Sequence, residues 1–334
     1  MANMFFNNKN AFVTGGAGFI GSALVRELLK EGANVVVYDN FLIGDNSNLD
    51  EVKDSITILR GDILDKNMSQ TLIDNEADYV FNLAAEPYIP HCYDRPARFF
   101  EINANGALNV LLASKAAGVK RIIQYSSSEV YGSAKYVPMD EAHPTLPLST
   151  YAVSKLAADR LCFTLHHEQK IPAIILRKFN VYGPRETQPY VIPELITQLN
   201  KSNSLHLGNT SAKRDFTYVT DAARGAIELM KHEEAEGQVF NMGTGKDYSI
   251  EEIAHLTGEL MGHNDIKINT DKNRLRPLDV QQLQCDNRKI RQLTGWTPEV
   301  DFKAGLRFTI EHFKESGCKW LWETKIKGEE NLWK

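Results

Sequence analysis

The sequence predicts an α/β protein: a doubly wound, mostly parallel sheet with a smaller, discontinuous α/β lobe towards the C-terminus. Three observations predict it. Short apolar runs alternate with segments whose apolar residues recur at helical spacing, an order that specifies a parallel sheet covered on both faces by helices. A glycine-rich loop joins the first such run to the first helical segment. After Asn180 the alternation loosens and turns become frequent.

Residues 10–14, NAFVT, read as the first strand, and SALVRELLKEG after the loop reads as a helix that Gly32 ends as a C-cap. NVVVYD is a buried strand ending in Asp39, and SITILRGDI is another ending near Asp62. LIDNEA belongs to a helix leading to the strand YVFNLAA. ARFFEINANGALNVLLASKAAG reads as one long helix, about 97–117, ending at Gly118. VKRIIQYSS is the next strand, YAVSKLAADRLCFTLHHEQK a second long helix over about 151–169, and PAIILRKFN a further strand. Residues 1–180 thus form the first domain and 181–334 the second lobe. In the latter, VYGPRETQPYVIPELITQLNKSN mixes turns with one helix, and SLHLGNTSAKRDFTYVTDAARGAIELM reads as strand, loop and helix. GQVFNMGTG, near 238–245, reads as a strand returning to the main sheet. The remainder, with IEEIAHLTGELMG and DNRKIRQLTGW, reads as a small helical lobe. CKWLWETKIKGEENLWK carries three of the four tryptophans and is expected to pack back on the body, a partner contact being the other reading.

Bulk properties exclude several classes. A net charge of −5 gives no basic footprint for nucleic acid. No apolar run approaches the length of a membrane span, and MANMFFNNKN lacks the apolar core of a signal peptide. Cys92, Cys162, Cys285 and Cys318 show no CxxC spacing, so a reduced, cytoplasmic setting is expected. No metal-ligand set is visible. His166 and His167 are adjacent on a helix and point two ways.

TGGAGFIG places Gly15, Gly18 and Gly21 between a strand and a helix. There the backbone can approach a pyrophosphate, and the helix N-terminus favours its charge. Asp39 ends the next strand, where a carboxylate accepts hydrogen bonds from a ribose diol and repels a 2′-phosphate. This is the Rossmann arrangement, and it favours NAD over NADP. YAVSK sets Tyr151 and Lys155 four apart on one helix face. An ammonium beside the phenol is expected to lower its pKa and make Tyr151 a base for a substrate hydroxyl.

Together TGxxGxxG, the Asp39 strand end, NLAAE, SSSEVYG, YxxxK and FNVYGP resemble the extended short-chain dehydrogenase/reductase family acting on nucleotide sugars, over residues 10 to about 315. The resemblance implies bound NAD, with Phe19, Ile20, Asn40, Asp62, Ile63, Leu83, Ala84 and Ala85 also at the cofactor. It implies Tyr151 as base, Lys155 on the nicotinamide ribose and Ser127 on the reacting hydroxyl. Glu86, His91, Asn180, Arg185, Val191, Arg214 and Arg276 are expected around the nucleotide sugar, the arginines because their fork matches phosphate oxygens.

The family shares oxidation of the sugar C4 hydroxyl, and the later steps depend on the groups beside C5 and C6. A C4 epimerase needs no acid or base there. A 4,6-dehydratase needs a base for the C5 proton and an acid for the departing C6 hydroxyl. Glu129 is the carboxyl candidate, and Ser128 stands where the deoxythymidine-diphosphoglucose dehydratases carry an acid. GDP-mannose 4,6-dehydratases are similar to this chain in having Ser-Glu, which implies that the one carboxyl, Glu129, serves as base and then as acid, and UDP-glucuronate decarboxylases are similar in SEVYG. The expected function is a dehydratase on a UDP-, dTDP- or GDP-hexose, N-acetylhexosamine nucleotides included, with decarboxylase, C4 epimerase and 5,6-dehydratase or 5-epimerase variants as alternatives. A non-catalytic NAD-binding scaffold is the reading outside enzymes, and the retention of Ser127, Tyr151 and Lys155 argues against it. The resemblance also implies a homodimer through a four-helix interface built from the two long helices.

Overall fold

Apolar runs too short for stable helices, bounded by turns and buried on both faces, pair as parallel strands. In the computed structural model, which describes residues 4–320 and 322, these are β1 (Asn10–Thr14), β2 (Asn34–Asp39), β3 (Ile56–Arg60), β4 (Tyr79–Asn82), β5 (Arg121–Ser127) and β6 (Ala173–Lys178). There follow β7 (Asn180–Tyr182), β8 (Ser204–Leu207), β9 (Lys213–Tyr218), β10 (Val239–Met242), β11 (Asp247–Ser249), β12 (Lys267–Thr270) and β13 (Gln282–Leu283). The main sheet has seven parallel strands in the order β10–β6–β5–β4–β1–β2–β3. The chain runs outward from β1 to β3 and then crosses to β4. That reversal opens a crevice at the carboxyl ends of β1 and β4, where α/β sheets bind ligands.

Helices Phe19–Lys30 and Val219–Met230 cover one face of the sheet, burying Leu24, Leu28, Ala222 and Ala226 in a common core. On the other face Met68–Asp74, Ala107–Ala116 and Thr150–Gln169 bury Leu72, Val110 and Cys162. The expected strand near 238–245 is β10, which joins the edge of the main sheet with Val239 opposite Ile175. Residues on either side of it build the second lobe: β7, β9, β11 and β13 in one small sheet, β8 and β12 in another. Among the described residues no helix is long and apolar enough to cross a membrane.

Three expectations need correction. The helix expected over 97–117 is in three parts, Pro96–Phe100, a π-helical turn Glu101–Gly106 and Ala107–Ala116. The wider turn lets the Asn103 amide reach the Glu86 backbone at 2.8 and 3.1 Å and the Ser154 hydroxyl at 3.0 Å. The segment read as strand, loop and helix contains a second strand, β9. Arg214, Asp215, Phe216, Thr217 and Tyr218 are all buried there, so no alternation marks it. The lobe expected to be helical also holds three short strands. In the tryptophan-rich tail, Trp320 is buried, donates to Thr197 Oγ1 at 2.8 Å and stacks on Trp322, while Trp333 lies outside the described residues.

Candidate active site

A cavity of about 860 Å³ opens at the crevice and runs from the glycine loop to the second lobe. At its first end, Gly15 adopts φ +69, and a Cβ there would lie 2.9 Å from the Ala84 backbone. A Cβ on Gly21 would meet the Gly15 carbonyl at 2.1 Å. Only glycine permits this close approach of loop and helix. Gly18 is the N-cap of helix Phe19–Lys30 and offers no side chain, so the first-turn amides are left for an anion. The Asp39 carboxylate is fixed by the amides of Ala17 at 3.0 Å and Phe41 at 2.8 Å. Asn40 donates to Asp62 at 2.9 Å, which in turn accepts from Leu64 N at 3.0 Å. This cradle fits a dinucleotide. Phe19, Ile20, Ile63, Leu83, Ala84 and Ala85 line the same part of the cavity.

The chemistry-bearing end is built on β5 and the helix Thr150–Gln169. Ser127 closes β5, and its Oγ accepts from Glu129 N at 3.2 Å, capping the turn Ser128–Tyr131. With Ser127 as its cap, the turn delivers Glu129 to the cavity wall. Ser127 also hydrogen-bonds the Tyr151 phenol. Ser149 caps the helix by accepting from Ala152 N at 3.1 Å, and Phe99 meets Tyr151 edge to face. Ser128 and Lys155 line the same space. Among the described residues no hydrogen bond or ion pair engages the Glu129 carboxylate.

The expected lowering of the Tyr151 phenol by Lys155 is not found. Burial pushes Tyr151 up to about 12, Ser127 opposes this, and the Glu129 and Cys92 charges add to it. Lys155 is itself held down at about 7 by burial and by the charge of Lys178, with Asp159 opposing. A lysine only partly charged at neutral pH has little with which to stabilise a phenolate.

In the second lobe Glu86, Asn180, Val191, Arg214 and Arg276 line the cavity. Arg214 is buried, donates to the Lys213 carbonyl at 2.9 Å and approaches Asp279 at 3.8 Å. Arg276 is exposed, and no described residue pairs with it. Burial pushes the Glu86 carboxyl up, opposed by Arg98 and Arg95. Two expected residues lie elsewhere. Arg185, at φ +67, turns away and pairs with Glu51 at 2.8 Å. His91 is exposed and sits edge-on to Tyr88, which takes the wall position instead.

Among the wall residues that escaped sequence reasoning are Lys178 and Glu186. Lys178 ends β6, and its only signal is a second basic residue breaking the apolar run ILRK. Burial holds it down at about 8, opposed by Glu129. Glu186 is 1% exposed, accepts among the described residues only from Gly183 N at 3.4 Å, and is raised well above the usual carboxyl range by burial. It lies close to Tyr190, whose phenol burial also pushes up.

Comparison with known proteins fits this geometry. A family model described as GDP-mannose 4,6 dehydratase matches residues 12–309. The chain is 34% identical to a UDP-N-acetyl-alpha-D-glucosaminuronate decarboxylase of Bacillus cytotoxicus, covering 92% of this chain and 98% of that one. It is 30% identical to the dTDP-D-glucose 4,6-dehydratase of Homo sapiens, covering 93% and 92%. A dTDP-glucose 4,6-dehydratase structure from Streptomyces venezuelae, with NAD bound, superposes with a TM-score of 0.86 at 28% identity, covering 93% of this chain and 99% of that one.

Proposed function

Because the chain belongs to the GDP-mannose 4,6 dehydratase family, among the extended short-chain dehydrogenases/reductases of nucleotide sugars, we propose that it is an NAD-dependent nucleotide-sugar 4,6-dehydratase. Its substrate is a UDP-, dTDP- or GDP-hexose and its product a 4-keto-6-deoxy sugar nucleotide. The observation that supports this is the unengaged Glu129 carboxylate, set in one cavity with the hydrogen-bonded Ser127 and Tyr151. An epimerase has no use for an ionisable group at C5.

The residues divide the work. Gly15, Gly18, Gly21 and Asp39 hold NAD, which supplies the hydride acceptor and donor. Ser127 orients the C4 hydroxyl and Tyr151 takes its proton, the positive charge of an oxidised nicotinamide supplying the phenolate stabilisation that Lys155 does not. The new ketone acidifies C5–H, which Glu129 removes and later restores. Arg214 and Arg276 meet the diphosphate, and the Asn180 amide lies on the same wall. A second reading, decarboxylation of a C6 carboxylate after the same oxidation, is supported by the similarity to the Bacillus cytotoxicus enzyme. Incubating the purified protein with UDP, dTDP and GDP hexoses and hexuronates decides between them by product mass. Loss of water is expected from a hexose. Loss of carbon dioxide from a hexuronate, or an unchanged mass with inverted C4, overturns the dehydratase.

The assembly is a homodimer. Phe100 (45%), Leu112 (41%), Val153 (44%) and Phe163 (37%) are exposed along residues 96–116 and Thr150–Gln169, a load of apolar surface of the kind that marks an interface. Val153→Asp with Phe163→Asp is expected to give a monomer in sedimentation velocity. An unchanged dimer would place the interface elsewhere.

A further inference from the structure

A Glu129 that keeps the C5 proton for its return to C5 does not also supply the leaving group. A departing C6 hydroxyl needs a proton, and the position that an acid would occupy is Ser128, whose hydroxyl does not ionise in the working range. We propose that Lys178 is that acid: its ammonium protonates the C6 oxygen while Glu129 removes the C5 proton. The proposal rests on the dehydratase reading above.

The placement carries it. Parallel pairing sets Lys178 directly opposite Ser127, so the two share one face at the carboxyl ends of adjacent strands. Both line the cavity with Glu129 and Tyr151. The preceding residue, Arg177, faces the other way and is consumed by Asp159 and the Tyr131 hydroxyl. Lys178 has no such partner: among the described residues neither a hydrogen bond nor an ion pair holds its ammonium. An unpaired ammonium beside an unpaired carboxylate, short of contact, leaves room for a substrate carbon skeleton between acid and base. Its titration near 8 keeps it mostly charged at neutral pH and ready to donate.

The step balances. The electron pair of C5–H becomes the C5–C6 double bond, the proton passes to Glu129, and the C6–O bond breaks. The oxygen leaves as water with the Lys178 proton. The proton that Tyr151 gained from the C4 hydroxyl restores Lys178 through solvent, so one water per turnover is the only net loss.

The test compares two leaving groups in the Lys178→Met variant, which keeps the length of the side chain. Hydroxide departure needs an acid, whereas fluoride departure from a 6-deoxy-6-fluoro nucleotide hexose needs far less help. The variant is expected to lose about 10²- to 10⁴-fold in water elimination, to form the C4 ketone normally by nicotinamide absorbance, and to release fluoride at close to the parent rate. Equal losses with both substrates overturn the acid role and make Lys178 a positioning residue. Undiminished dehydration overturns any role. The parent protein on the unmodified hexose tests the dehydratase reading separately; if it forms no dehydrated product, that reading falls and the acid assignment with it.

Discussion

Arg177 on β6 donates through Nε to the Asp159 carboxylate at 2.8 Å, and both side chains are buried. Ser126 donates to the same carboxylate at 3.2 Å, and Arg177 Nη1 donates to the Tyr131 hydroxyl at 3.0 Å, which donates in turn to Asn241 at 2.7 Å. One network therefore ties the helix bearing Tyr151 and Lys155 to β5, β6, the Ser128–Tyr131 turn and β10. Removing one partner strands a buried charge. Asp159→Ala is expected to lower unfolding stability by about 3–5 kcal/mol, read as a reduced urea midpoint. A loss of only about 0.5 kcal/mol, typical of a surface change, would show that water or rearrangement satisfies Arg177.

Glu129→Gln keeps the shape of the side chain and removes the base. Water elimination is expected to fall by about 10²- to 10⁴-fold, while C4 oxidation in a single turnover proceeds and leaves the nicotinamide reduced. Retained dehydration would refute the assignment to C5.

Gly21→Ala pushes a methyl against the Gly15 carbonyl at 2.1 Å, a distance no backbone tolerates. The loop must open, at about 1–3 kcal/mol. NAD affinity, followed by calorimetric titration, is expected to drop more than thermal stability does. Unchanged affinity would mean that the cofactor does not use this loop.

The two cavity lysines give stability a pH signature. Burial and Lys178 hold Lys155 at about 7 in the folded protein, and burial holds Lys178 at about 8, whereas both sit at 10.5 when unperturbed. Between about 7 and 10.5 the unfolded chain binds more of these protons than the folded one, so stability rises with pH across that window. Below it both states are protonated and the penalty is present in full. The urea midpoint of the protein without NAD is expected to climb from pH 7 to pH 9, and Lys155→Met to flatten the climb. A parent midpoint that falls over this range contradicts the burial of these ammoniums.

Residues with a local signature were legible in the sequence. The glycine loop, Asp39, the Ser127–Glu129 turn and the YxxxK helix each combine residue type with a strand or helix boundary, and the fold then brings them together. What failed depends on tertiary surroundings. β9 is buried on both faces and shows no period, and the π turn answers to a contact between Asn103 and Glu86 that no local pattern reports. Arg185 matches a motif, but its positive φ turns it to Glu51. Lys178 acquires meaning only from its register against Ser127.

The return of β10 to the main sheet has a consequence for engineering. Cutting the chain near Asn180 removes the strand that covers β6 and bares a row of unpaired amides and carbonyls, a template for aggregation. The second lobe is thus not a transplantable cassette. Exchanging it between relatives while keeping this chain's own edge strand requires two splices that spare Val239–Met242, whereas a single junction sets a foreign strand against β6.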